Sequence, residues 1–171
     1  MNGPPASVAD LLHQGFRYAL SLTHDRAWAE DLLQDGWVAV LKAGGPAVKA
    51  YLFPAIRTRF LNQLRRERVA PMVSLEGAVE DGALEPLARE SETRAPADRI
   101  DLERALASLH PEEREALYLN VVEGATALEI AELTGRPRGT ILSLIFRARK
   151  KLRRFLETHH WESRNDSRYA R

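Results

Sequence analysis

The chain has 171 residues, no cysteine and 44% hydrophobic content. That suits one globular domain or two small ones and excludes a disulfide-stapled fold, a cysteine-ligated metal site and a cysteine nucleophile. The net charge of +1 sums unlike parts: +3 over residues 1–70, −4 over 71–97 and +2 over 98–171.

The five histidines, His13, His24, His110, His159 and His160, are too scattered for a histidine metal site, and no cofactor is expected. No apolar run approaches the ~18 residues of a membrane span. The start, Met1-Asn2-Gly3-Pro4-Pro5, lacks the basic region of a signal peptide, so a cytoplasmic protein without membrane insertion is expected. Five arginines against Glu67 lie between Arg57 and Arg68, and eight basic residues with no acid lie between Arg136 and Arg154. Arginine supplies 21 of the 25 positive charges, and its planar fork suits phosphate. Two separate basic helices are therefore available to a polyanion; a merely solvated basic face is the competing explanation.

In chain order, Ser7 and Asp10 have capping-box-like spacing before Val8, Leu11, Leu12, Ala19 and Leu22, which recur at helical intervals and predict a helix over 7–22. Ala29, Leu33, Gly36, Trp37, Val40 and Leu41 predict a second helix over 26–43, stopped by Gly44-Gly45-Pro46. A third, over 47–68, carries Leu52, Ile56, Phe60 and Leu64 on one side, with Pro54 expected to kink or delay its first turns. Residues 71–97 read as an acidic linker, within which Val73-Ser74-Leu75 is a short apolar motif with docking potential. Asp98 then caps a helix to about Ser108, and Pro111 opens the next. Thr126 with Glu129 forms a capping box for a short helix ended by Gly135, and Pro137 opens a basic helix to about Glu157. A polar tail, 161–171, follows. No alternating strand pattern occurs, so the fold class is all-α: helical domains at 1–70 and 98–160 joined by the linker.

Within Leu128 to Phe146, the positions of Ala131, Gly135 and Ile141 have the spacing of a helix-turn-helix. A small residue allows close helix approach, glycine takes the turn, and a branched apolar residue fills the space between the helices. The second helix would place Arg136, Arg138, Thr140 and Ser143 toward base edges, and Arg147, Arg149, Lys150, Lys151, Arg153 and Arg154 toward phosphates. A helical hairpin that merely packs is the alternative. In the first half, Asp31, Gln34 and Asp35 share one helical face, opposite a stripe of Leu33, Trp37 and Val40, and invite a basic partner surface. Nothing marks these acids as buried, so no catalytic residue is expected.

Together, residues 29–42 (AEDLLQDGWVAVLK), 50–68 (AYLFPAIRTRFLNQLRRER) and 102–156 resemble the extracytoplasmic-function sigma factors of bacterial RNA polymerase, within the sigma-70 family. The resemblance implies a protein without covalent chemistry that binds core RNA polymerase and directs promoter-specific transcription initiation. It implies that Asp31, Gln34 and Asp35 face the clamp coiled coil of the polymerase beta-prime subunit. It further implies that the Ala43–Lys49 loop, including Lys49, and Arg57, Thr58, Asn62 and Arg65 recognise and melt the minus-10 element, with a pocket for an extruded base in the loop. Arg136, Arg138, Thr140, Ser143, Arg147, Arg149 and Lys150 would read the minus-35 element, and the linker would thread toward the active-site channel and RNA exit path. An anti-sigma factor is the further expected partner.

The chain departs from the family where it has Thr58 for the usual Asn, Asn62 for the usual Asp, and Leu142 and Leu144 for basic residues. Leucine makes no charge-assisted bond, so upstream reading is expected to be unusual, weak or dependent on thymine methyls, unless both leucines pack against a protein. A sigma-like decoy bound to an anti-sigma factor and a stand-alone helix-turn-helix regulator are the competing functions. The intact acidic face favours the sigma factor, and the leucines favour the decoy.

Overall fold

The computed structural model describes residues 7–69 and 97–169, and every regular element among them is an α-helix. They fall into an N-terminal and a C-terminal unit. The acidic stretch, including Val73-Ser74-Leu75, lies outside the described residues, apart from Ala97.

In the N-terminal unit, polar caps set the first two helix starts. Helix α1 (Val8–Thr23) begins where the Ser7 hydroxyl accepts the Asp10 N–H at 3.1 Å, and α2 (Arg26–Lys42) where the Asp25 carboxylate accepts the Trp28 N–H at 2.8 Å. Helix α3 (Lys49–Val69) starts without the delay expected from Pro54. The Val48 carbonyl accepts the N–H groups of Tyr51 and Leu52, and the Pro54 carbonyl accepts the Thr58 hydroxyl, so proline costs the early helix a single donor.

The three helices bury Leu11, Tyr18, Ala19 and Leu22 of α1, Ala29, Leu32 and Val40 of α2, and Leu52, Phe53, Ile56 and Phe60 of α3. The Tyr18 and Phe53 rings stack at 4.3 Å. The buried stripe of α2 differs from the one expected. It runs Ala29, Leu32, Gly36, Val40, while Leu33 and Trp37 are half-buried and Leu41 is 58% exposed. The reason is close packing: a Cβ on Gly36 would stand 2.7 Å from Ile56 Cγ1, so α3 presses on the one position without a side chain and the bulky Trp37 is turned to the margin. Val8, expected in the apolar stripe of α1, is likewise exposed.

The C-terminal unit contains α4 (Ala97–Ala107), α5 (Pro111–Val121), α6 (Ala127–Thr134) and α7 (Arg138–Tyr169). Asp98 falls inside the first turn of α4 rather than at its cap, because the helix begins one residue earlier. At α6 the capping box forms as expected: Thr126 N–H donates to Glu129 Oε2 at 2.8 Å and Glu129 N–H to Thr126 Oγ1 at 3.3 Å. Gly135 closes α6 in the left-handed region at φ 69°, with its N–H returned to the Ala131 carbonyl. Leu109, Ala116, Leu119, Ile130, Ile141, Leu144, Ile145 and Ala148 supply the buried core. Arg114 is buried with them, and its guanidinium donates to the carbonyls of Leu106 and Leu109. Burial lowers its pKa to about 10, which still leaves it a cation at neutral pH.

Helix α7 runs beyond the end expected at Glu157, and its backbone stays helical through much of the stretch read as a polar tail. Neither proline nor glycine follows Gly139, so nothing in the chain breaks the hydrogen-bond ladder there.

Candidate protein and nucleic-acid interfaces

Three exposed helical faces carry the residues of interest. On α2, Asp31, Gln34 and Asp35 are all exposed, opposite the buried Ala29, Leu32, Gly36 and Val40. Val38 and Leu41 are also exposed, one and two turns further along the same face. The face is thus acidic at its start and apolar at its end, which fits a partner helix carrying both cations and apolar side chains. The sequence reading missed the apolar half by counting Leu41 with the core; the signal was the Gly36 position, which identifies the buried stripe.

On α3, Thr58, Asn62 and Arg65 are exposed at helical spacing on one face, and Arg57 is half-buried at its edge. Tyr51, seven residues before Thr58, continues this stripe and is exposed. Its ring lies over the preceding loop, where a Cβ on Gly45 would be 3.0 Å from Tyr51 Cδ1. Gly44 and Gly45 return their N–H groups to the carbonyls of Leu41 and Val40, fastening that loop to the end of α2. Lys49 is placed differently from expectation: it is the first residue of α3 and only 7% exposed, because the loop folds back onto the helix start. Its side chain is therefore largely covered.

On α7, Ile141, Leu144, Ile145 and Ala148 turn inward. Arg138, Thr140, Leu142, Ser143, Phe146, Arg147, Arg149 and Lys150 are exposed. The two leucines singled out in the sequence therefore part company. Leu144 is core, 3% exposed, because it lies one turn from Ile141 and Ala148 on the inward side; Leu142 faces outward. Phe146, at 68% exposure, sits one turn beyond Leu142 on the outer face and was not among the expected contacts. Its spacing from Leu142 and from Lys150 was the available signal.

Not every expected cation is free. The Arg136 guanidinium is ion-paired with Glu112, which raises its pKa further, and its side chain is mostly covered. Lys151 Nζ donates to Glu113 Oε2 at 2.8 Å, and Arg149 Nη2 to Asn120 Oδ1 at 2.8 Å. Among the described residues no cluster of His, Asp or Glu has the makings of a metal site, and no helix is long and apolar enough to cross a membrane.

Two helical units, one with an acidic exposed face and the other with a basic helix-turn-helix, offer surfaces for a cationic protein partner and for a polyanion. Residues 7–69 match the family model of sigma-70 region 2, and residues 99–152 match that of sigma-70 region 4. The chain is 30% identical to the ECF RNA polymerase sigma factor SigL of Mycobacterium tuberculosis, over 83% of this chain and 82% of that protein. It is 32% identical to the RNA polymerase sigma factor CarQ of Myxococcus xanthus, over 84% and 82% respectively. Among solved structures it is similar to the sigma factor RpoE of Bartonella quintana in complex with the anti-sigma factor NepR, with a TM-score of 0.66, 28% identity, and 88% of this chain and 94% of that chain covered. The chain belongs to the extracytoplasmic-function sigma factors. Proteins of this family bind RNA polymerase and promoter DNA and direct transcription initiation, and this chain is one of them.

Proposed function

We propose that the three faces divide the work of promoter recognition. The α2 face, Asp31, Gln34 and Asp35 together with Val38 and Leu41, engages the clamp coiled coil of the beta-prime subunit. The observation that carries this reading is the exposure of the three polar residues opposite a buried stripe, which turns them toward solvent and away from their own unit.

The α3 stripe, Thr58, Asn62 and Arg65 with Arg57 at its edge, contacts the minus-10 element. Tyr51 adds an exposed ring on which an extruded base can stack, recovering part of the few kcal/mol that unstacking costs. The outer face of α7 reads the minus-35 element: Arg138, Thr140 and Ser143 near base edges, Leu142 and Phe146 against thymine methyls, and Arg147, Arg149 and Lys150 on phosphates. Arg136, paired with Glu112, holds the turn of the helix-turn-helix behind this face. The protein performs no covalent chemistry of its own and works in the cytoplasm, where polymerase is. An anti-sigma factor would act by covering the α2 or α7 face.

The test is start-site-resolved transcription from fragmented genomic DNA by core polymerase with and without this protein. Discrete new start sites sharing two spaced upstream elements are expected. Their absence with folded protein would turn the reading to a decoy that binds an anti-sigma factor.

A further inference from the structure

Helix α5 treats the cations of the helix-turn-helix unequally. Glu112 takes Arg136 and Glu113 takes Lys151, so each of these positive charges is met by a carboxylate. Arg149 is met by an uncharged amide. Its Nη2 donates to Asn120 Oδ1 at 2.8 Å, and Asn120 Nδ2 donates to the Ala125 carbonyl at 3.0 Å. The amide is thereby held at both ends, with its oxygen directed to α7 and its nitrogen to the turn before α6. These two bonds also fix which way the amide points, since only the oxygen can accept and only the nitrogen can donate.

We propose that Asn120 is a positioning residue for DNA binding, which orients the exposed Arg149 guanidinium toward a backbone phosphate without neutralising it. The inference rests on the reading that the outer face of α7 meets DNA. A free arginine is spread over many rotamers and loses that freedom on binding a phosphate; one already tethered loses less. Of the five N–H donors of the guanidinium, the bond to Asn120 occupies one, which leaves the fork able to pair with phosphate oxygens. A carboxylate at the same place would hold the side chain as well but cancel its charge, as Glu112 and Glu113 do for Arg136 and Lys151. The neutral amide thus separates orientation from charge compensation.

The experiment measures binding of the full chain, assembled with core polymerase, to a promoter duplex recovered by the start-site mapping, at several salt concentrations. Arg149→Ala is expected to flatten the slope of log Kd against log salt by about 0.9, the loss of one phosphate contact. Asn120→Asp should flatten it by a similar amount with Arg149 still present, and should cost twofold or less when added to Arg149→Ala. Asn120→Ala, which frees the side chain but keeps its charge, should weaken binding about three- to tenfold while leaving the slope near that of the unaltered protein. A purely structural asparagine would lower the melting temperature without moving the slope in Asn120→Asp. Equal slopes for Asn120→Asp and the unaltered protein, or full additivity with Arg149→Ala, would overturn the proposal. If Arg147→Ala and Arg149→Ala both leave affinity and slope untouched, the assignment of α7 to DNA fails instead.

Discussion

The Arg136 guanidinium is bound by the Glu112 carboxylate, and this pair ties the turn of the helix-turn-helix to the first turn of α5. A residue that looks in the sequence like the first cation of a DNA-reading helix is thereby committed to its own unit. Arg136→Ala should leave the salt dependence of promoter binding unchanged and cost stability by about 0.5–1 kcal/mol, the range of a partly exposed ion pair. Arg147→Ala should do the reverse, lowering the slope by about 0.9 with little change in stability. Fluorescence anisotropy over a salt series and urea denaturation of the same variants check both.

Charge reversal on the α2 face separates binding from folding. Asp31 and Asp35 are exposed and on the side away from the core, so Asp31→Arg with Asp35→Arg is expected to weaken core-polymerase binding tenfold or more while helix content by circular dichroism stays the same. Leu41→Asp, at the apolar end of the face, should weaken binding in the same assay. Retained affinity in both would remove the polymerase assignment from this face.

Gly36→Ala tests the close approach of α2 and α3. Alanine favours a helix interior by about 1 kcal/mol over glycine. Here, however, the new methyl would meet Ile56 Cγ1 at 2.7 Å and the Ile56 backbone nitrogen at 3.3 Å. Overpacking of this kind costs about 1–3 kcal/mol, so the net expectation is a loss of about 1 kcal/mol, read as a lower urea midpoint. A higher midpoint would show that the helices separate freely.

The α6 capping box gives a pH signature. Hydrogen bonds from the Thr126 backbone and hydroxyl stabilise the ionised Glu129 carboxylate and hold its pKa well below the ordinary 4.5. Because the folded value is depressed, the contribution is complete above the unfolded value and fades as pH falls through the folded one. Melting temperature should therefore drop below about pH 4.5 more steeply in the unaltered protein than in Glu129→Gln. Thr126→Ala should cost about 1 kcal/mol at neutral pH.

Much of this protein is written in local chemistry. The caps at Ser7 and Thr126, the stop at Gly135 and the apolar periods of α1 and α3 are readable because each depends on residues within a turn or two of one another. The two acids and the amide of α2 and the basic run of α7 are readable for the same reason, since residues three and four apart share a helical face whatever surrounds them.

What lies beyond a single helix needed the tertiary structure. Which side of α2 turns inward is decided by Ile56 pressing on Gly36, and that contact moves Trp37 and Leu41 out of the core. The separation of buried Leu144 from exposed Leu142 is decided by which side of α7 packs inward with Ile141 and Ala148. Likewise, a run of eight basic residues reads as uniform charge, yet Glu112 and Glu113, brought up from α5, pair with Arg136 and Lys151, while Asn120 accepts a hydrogen bond from Arg149. Periodicity fixes which side chains lie together on a helix; only packing between helices fixes which of them meet solvent, and with what charge.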